Sequence, residues 1–416
     1  MHRRLVLIAM YEWSEMDLAI QDAIRQFVDT EIRPLREEFE FGDLPPYDTI
    51  RKLFKTFGID AMAAESLAKQ LAKERSGTGA TDAKPRSAMG GQEGMAVILV
   101  KELCRVCPGF VGGIGVSLGL GASTIMSRGT LAQKQRWLPG LVTFEKVAAW
   151  ALTEPGSGSD AFGSMKTTVR RSGDGYVLNG QKTFITNGPY ADVLVVYTKL
   201  DDGVTEPRDR KILTFVLDTG MPGLTQGKPF RKMGFHSSPT GELFFEDVYL
   251  EPDRLLGETE DHTGGDGRDS AKSGFVAERM GVAAMSLGII EECLDQSVKY
   301  AKERVQFGHP IAEYQLIQLK LANMEIARVN VQNMVFRAIE MGRDGKQPSL
   351  AEASAVKVYS SQAATEVAME AVQLFGGNGY MSEYPVEQLA RDAKSLMIYA
   401  GANEVQITHV AKGLLA

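Results

Sequence analysis

Residues 150–160, Trp-Ala-Leu-Thr-Glu-Pro-Gly-Ser-Gly-Ser-Asp, put hydroxyls, two carboxylates, a proline and two glycines directly after an apolar run. Glycines let a backbone come close to a ligand, and Ser and Thr hydroxyls can bind phosphate or the edge of a heterocycle. The same composition also makes a tight surface loop between domains, so the stretch needs support from elsewhere in the chain. Two other candidates fall away on spacing. Gly113-x-Gly115 is followed by Gly119, one place late for G-x-G-x-x-G, with no strand before it and no suitable acidic residue after it. Close helix packing through small residues accounts for it better than dinucleotide binding. Cys104 and Cys107 form a lone C-x-x-C without a second pair and read as buried structural thiols. The five histidines (His2, His236, His262, His309, His409) lack metal-ligand spacing, so no metal site is expected.

At 416 residues the chain is too long for one ordinary core, and two or three domains are expected. Its apolar and charged fractions, 44% and 24%, are those of a globular protein. A net charge of −7 disfavours a general nucleic-acid binder. Three cysteines do not make a disulfide framework and suit a reducing compartment. The apolar run from Leu5 to Met10 is short for a signal-peptide core, and no run reads as long enough to span a membrane. No membrane insertion is expected, and the reading is a soluble protein of the cytoplasm, or of the mitochondrial matrix in a eukaryote.

The elements that must position any site follow from hydrophobic period. From Ser14 to Leu71 the pattern is helical, with Ser14 and Asp17 at a helix start, and helical character returns over 94–106 and 113–137. After Asp160 the period changes to two. Val169, the turn 172–175 and Tyr176-Val177-Leu178 predict a hairpin; Asn179-Gly180 predicts a further turn into the strand 183–186. Residues 193–198, 212–217 and 243–250 predict three more strands. From Ser273 onward Leu287, Ile290, Leu294, Val298 and Ala301 return to helical spacing, and Ile317, Leu321, Met324, Val331 and Val335 continue it on a second helix. Ser349 with Glu352 opens a third as a capping box, and Pro385 a fourth. The expected organisation is α+β: an all-α domain at 12–148, a β domain at 149–255 and a helical bundle at 273–416.

Within this frame residues 151–160 (ALTEPGSGSD) closely resemble the first signature of the acyl-CoA dehydrogenases, and residues 373–380 (QLFGGNGY), continuing to Arg391-Asp392-Ala393-Lys394, resemble the second. Residues 179–187 (NGQKTFITN) and Glu303-Arg304-x-Gln306-Phe307-Gly308 also look like family segments, and the resemblance runs from about Ser14 to the end. It implies an N-terminal helical domain, a middle β barrel or sandwich and a C-terminal four-helix bundle. It also implies FAD, an acyl-CoA substrate oxidised to the trans-2-enoyl thioester, an electron-transfer flavoprotein as partner, and a homotetramer. By motif position, Leu152 and Thr153 should lie along the pyrimidine side of the flavin, Ser159 near the pyrophosphate and Thr186 near N5. Phe184 stands where many members have Trp and should stack on the ring. Arg304, Gln306 and Phe307, with Gln373 and Gly377, should meet the ADP half of FAD from a neighbouring subunit.

The informative departure concerns the base. Removing the weakly acidic proton α to a thioester needs a positioned base and donors for the enolate-like oxygen. Most members carry that base in a Tyr-Glu-Gly-Thr stretch; here the matching residues are Tyr399-Ala400-Gly401-Ala402. Either the chain is a catalytically silent FAD- or acyl-CoA-binding subunit, or the carboxylate comes from elsewhere; a related flavin oxidase is a further alternative. The isovaleryl-CoA and long-chain branches use the residue before a helix arginine, which here is Glu278, before Arg279. The resemblance thus implies Glu278 as base, with burial raising its pKa, Arg279 orienting it or the substrate, and the Ala400 backbone N–H facing the thioester oxygen. Two more departures, Gln388 for a basic residue and Ala402 for a hydroxyl, touch details of cofactor binding.

Overall fold

A computed structural model describes residues 12–76, 93–262 and 265–415; most of the Gly-, Ser- and Ala-rich run 76–91, whose composition reads as a loop, lies outside them. The N-terminal part is helical: α1 (Glu15–Phe27), α2 (Arg36–Phe41), α3 (Tyr47–Thr56), α4 (Ile59–Arg75), α5 (Glu93–Cys104), α6 (Pro108–Ile114), a π-helical turn (Gly115–Ala122), α7 (Ser123–Arg128) and α8 (Leu131–Val142). Ser14 caps α1 as expected, exchanging hydrogen bonds with Asp17 in a capping box, and Thr130 with Gln133 does the same for α8. The glycines near 113 pack helices against the sheet. A Cβ on Gly121 would sit 2.6 Å from that of Ala148, and the Gly113 carbonyl accepts from Asn187 Nδ2 at 3.0 Å. Helical stretches 108–128 and 267–303 are long and apolar enough by composition to cross a membrane. In each, half or more of the apolar window is packed inside the protein, as in core helices.

Seven strands form one sheet: β1 (Ala148–Ala151), β2 (Thr168–Ser172), β3 (Gly175–Thr186), β4 (Val193–Leu200), β5 (Ile212–Asp218), β6 (Leu224–Gln226) and β7 (Thr240–Leu250). Their order is β1-β4-β2-β3-β7-β6, with β5 paired to β4. Two features differ from the sequence expectation. Asn179-Gly180 is a bulge inside the continuous strand β3, which slips register against β7 between Leu178 and Gly180. Gly180 (φ +145°) lies so close to Thr167 that a Cβ would meet its Oγ1 at 2.6 Å; the glycine answers a backbone approach, not a hairpin. Strand β6 has only three residues and β1 lacks alternation, which hid them: β1 is Ala-Ala-Trp-Ala, buried almost throughout.

The C-terminal helices are α9 (Gly267–Glu303), α10 (Gln315–Arg343), α11 (Leu350–Phe375), α12 (Pro385–Leu396) and α13 (Asn403–Leu415), with a small hairpin of β8 (Val305–Gln306) and β9 (His309–Pro310) after α9. Leu287, Ile290, Met324, Val331 and Val335 are buried as their spacing predicts, and the Ser349–Glu352 capping box opens α11. The expected fourth helix is divided between α12 and α13, and the turn between them carries Ala400. Helix α9 is clamped to α5 by buried ion pairs, Lys101 Nζ to Glu291 at 2.7 Å and Arg105 to Glu292 at 2.8 Å. At Gly288 the two helices nearly touch, since a Cβ there would meet the Lys101 carbonyl at 2.2 Å. Gly288→Ala should therefore destabilise the fold by about 1–3 kcal/mol, despite alanine's better helix propensity; an unchanged denaturant midpoint would contradict this packing.

Candidate active site

The predicted residues fall into three groups. In the first, the stretch after β1 is pinned from below by Lys182 of β3. Lys182 is fully buried, and its Nζ donates to the Leu152 carbonyl at 3.0 Å and to Glu154 Oε1 at 2.9 Å. Burial pushes this lysine down to about 8 despite the attraction of Glu154. Burial also opposes charge on Glu154, but Lys182 and the N–H groups of Thr167 and Lys166 outweigh it and hold the carboxyl below its usual range. The Thr183 N–H donates to the Thr153 carbonyl at 2.9 Å, which lays Leu152-Thr153 beside Phe184. Phe184 has a left-handed backbone (φ +57°), and its ring is 68% exposed, 5.8 Å from that of Phe230. The hydroxyls of Thr153, Ser159 and Thr186 make no hydrogen bond to any described residue. Glu154 and Asp160 shape the turn through local hydrogen bonds, Asp160 accepting from Ser164 Oγ at 2.7 Å.

The second group joins α9 to the 397–402 turn. Glu278 is half-buried and makes neither a hydrogen bond nor an ion pair with any described residue. Burial pushes its carboxyl up to about 7, against the pull of Arg279 and Lys357. Arg279 does not pair with its neighbour. It is buried, donates weakly to Ser354 Oγ (3.4 Å), and lies over the Phe275 ring with its guanidinium carbon 5.4 Å from the centroid. This helix thus turns Arg279 toward α11 and leaves Glu278 free, so direct orientation of one by the other is not what the geometry offers. The turn lies alongside: a Cβ on Gly401 would be 3.8 Å from Arg279 Nη2, and the Tyr399 hydroxyl, pushed up by burial, also feels the charge of Glu278. Ala400 has φ +56° and Gly401 φ +85°. The Ala400 N–H has no hydrogen-bond partner among the described residues, whereas the carbonyls of both residues accept from Gln406 Nε2.

The third group lies at the other end of α9. Arg304, Gln306 and Phe307 are on the β8–β9 hairpin, all exposed, Phe307 to 93%. Gln373 and Gly377 are exposed at the end of α11. Tyr300 ties the two places together, stacking on Phe375 at 4.1 Å and accepting from Asn378 Nδ2 at 3.0 Å. At about 1.5 Å per helical residue, Arg304 is roughly 39 Å along α9 from Glu278. One chain therefore does not bring this hairpin to its own Glu278.

An exposed aromatic ring, uncommitted hydroxyls and a free carboxyl beside a free N–H describe a surface for a flat heterocycle with a reacting carbonyl compound against it. Comparison with known proteins defines the class. Family models for the acyl-CoA dehydrogenase N-terminal, middle and C-terminal domains match residues 14–145, 149–248 and 265–415 in order. The chain belongs to the acyl-CoA dehydrogenase family, FAD-dependent oxidoreductases acting on the CH–CH group. An acyl-CoA dehydrogenase of Bacillus subtilis (strain 168) is 35% identical over 404 residues, 97% of this chain and 98% of that protein. The solved acyl-CoA dehydrogenase of Geobacillus kaustophilus is 34% identical with a TM-score of 0.84, covering 97% of this chain and 99% of its own. A glutaryl-CoA dehydrogenase of Mycobacterium smegmatis, solved in complex with FADH2, is 27% identical with a TM-score of 0.79, covering 96% and 95%. The residues present fit that cofactor: the hydroxyls of Thr153, Ser159 and Thr186 are available to its polar edges and phosphates, and the bare Phe184 ring to its face.

Motif matching placed Lys182 in the 179–187 segment without a role and passed over Lys357, Asn403 and Gln406. Buried lysines carry a usable signal in retrospect: Lys182 and Lys357 sit at apolar-periodic positions where a charge demands partners.

Proposed function

We propose that this chain dehydrogenates an acyl-CoA thioester to its trans-2-enoyl form, with Glu278 as the base. The observation that carries the reading is the unpaired Glu278 carboxyl, raised to about 7, beside a turn whose Ala400 N–H is unspent. The Glu278 carboxylate removes the proton from Cα, and the Ala400 N–H donates to the thioester oxygen as negative charge builds there. Surrounding apolar side chains, among them Tyr399 and Phe235, keep water from the departing proton. When bound, FAD supplies the hydride acceptor for Cβ. Leu152, Thr153 and Thr186 hold the edge of the flavin, Phe184 its face and Ser159 the pyrophosphate. Arg279 shapes the wall against Phe275 and Ser354 and does not hold Glu278. The alternative of a silent subunit is disfavoured by Glu278 itself, since a half-buried carboxyl without a hydrogen-bond or ion-pair partner among the described residues is costly to retain without a use.

Arg304, Gln306, Phe307, Gln373 and Gly377 serve the ADP half of a neighbouring copy's FAD, because about 39 Å of helix separates them from their own Glu278. This makes the working unit a homo-oligomer, a tetramer by family resemblance, and the electron acceptor an electron-transfer flavoprotein. The reading is tested by pH. Only the ionised carboxyl accepts a proton, so the limiting rate of flavin reduction should rise with pH through about 7 and level off above it. A rate that is flat, or that falls, across that range would count against Glu278.

A further inference from the structure

The turn that presents the Ala400 N–H is conformationally expensive, with two successive left-handed residues, the first of which has a Cβ. Something must hold it. Lys357 of α11 is fully buried directly beneath it, and its Nζ donates to the Gly401 carbonyl at 2.9 Å and to Asn403 Oδ1 at 2.8 Å. Asn403 Nδ2 in turn donates to Ser361 Oγ at 3.1 Å. Gln406 grips the same turn from α13, donating to the Ala400 and Gly401 carbonyls at 3.2 and 3.1 Å while its own carbonyl accepts from Ser354 Oγ at 2.8 Å. The carbonyls of the turn are thus drawn toward α11 and α13, and the Ala400 N–H is left without a hydrogen-bond partner among the described residues. The groups acting on Lys357 are Arg279 and Glu278 from α9 and Glu404 from α13, with Tyr399 of the turn near Glu278. A buried ammonium whose partners are a strained carbonyl and the first residue of α13 has more to do than fill space.

We propose that Lys357 is a positioning residue for proton abstraction: by anchoring the Gly401 carbonyl and Asn403 it locks residues 399–403 so that the Ala400 N–H meets the thioester oxygen. The proposal rests on the reading of Glu278 and Ala400 given above. The test uses the full-length, FAD-loaded protein and whichever of butyryl-, isovaleryl-, octanoyl- or palmitoyl-CoA bleaches the wild-type flavin fastest under anaerobic conditions. Lys357→Met should lower the limiting reduction rate about 100-fold while the acyl-CoA dissociation constant stays within about threefold, since alignment in the transition state is lost and ground-state binding is not. The midpoint of the pH–rate profile should also move up, because a cation that favours the Glu278 carboxylate is gone; the split between lost rate and kept affinity is what separates positioning from a structural role. A limiting rate within about threefold of wild type, or a loss of rate matched by an equal loss of acyl-CoA affinity, overturns the proposal. If Lys357→Met does not fold with FAD, Asn403→Ala decides. A loss of about tenfold in limiting rate at unchanged binding supports the anchor, and a rate within about twofold of wild type overturns it. Failure of the underlying reading is recognised separately, by Glu278→Gln retaining the wild-type rate.

Discussion

Glu278→Gln is expected to slow anaerobic flavin reduction by at least about 10³-fold, the upper part of the range for losing a positioned general base, while FAD and acyl-CoA remain bound. The amide has the shape of the carboxyl it replaces, and no hydrogen bond or ion pair is broken, because Glu278 makes none with the described residues. Folding should not suffer. The folded pKa of Glu278, about 7, lies above the ordinary glutamate value of 4.5. A raised carboxyl pKa contributes stability below the unfolded value and loses it as pH rises through the folded one. Above pH 7 the wild type therefore carries an ionised, poorly solvated carboxylate that the glutamine variant lacks. Thermal melts at pH 8 should show Glu278→Gln at least as stable as wild type, alongside its lost chemistry. A variant that reduces its flavin at the wild-type rate would remove Glu278 from the mechanism.

Lys182→Met should have the largest effect on stability. Lys182 and Glu154 are buried as a pair, and the lysine also holds the Leu152 carbonyl. Removing the cation leaves Glu154 as a buried carboxylate with only backbone donors. Breaking a buried pair from one side typically costs about 3–5 kcal/mol, and the damage falls under the stretch proposed to hold the flavin. Denaturant unfolding should show that loss together with release of FAD from the purified protein. The double variant Lys182→Met/Glu154→Gln should recover part of it, since the partners are coupled. A single variant within about 1 kcal/mol of wild type would mean that the surroundings solvate Glu154 without the lysine.

The motif at 151–160 was legible because its residue types are dictated by local contacts: glycines, a proline and hydroxyls define a turn wherever they occur. The helical bundle was legible for the same reason, through the spacing of Leu287, Ile290, Met324 and Val331. Long-range packing was not. The bulge at Asn179-Gly180 mimics a hairpin turn in sequence, and only the approach of Thr167, just before β2, distinguishes the two. Strand β1 lacks alternation because nearly all of it is buried. At the site, Ala400 announced itself by a missing carboxylate, and Glu278 by its place before Arg279. What Arg279 does was not readable, because its partners, Phe275 one turn away and Ser354 on another helix, depend on how α9 meets α11. Asn403 lies 46 residues from Lys357 and Gln406 lies beyond it, and only the packing of α11 against α13 joins them.

The central claim is that this chain contains a complete dehydrogenase site although alanine stands at 400. Anaerobic titration of the purified, FAD-loaded protein with an acyl-CoA panel tests it most directly. The account predicts that at least one saturated acyl-CoA bleaches the flavin absorbance, with one enoyl-CoA formed per FAD reduced. An oxidised flavin that persists with every member of the panel, while acyl-CoA demonstrably binds, would contradict it and make the chain a silent partner.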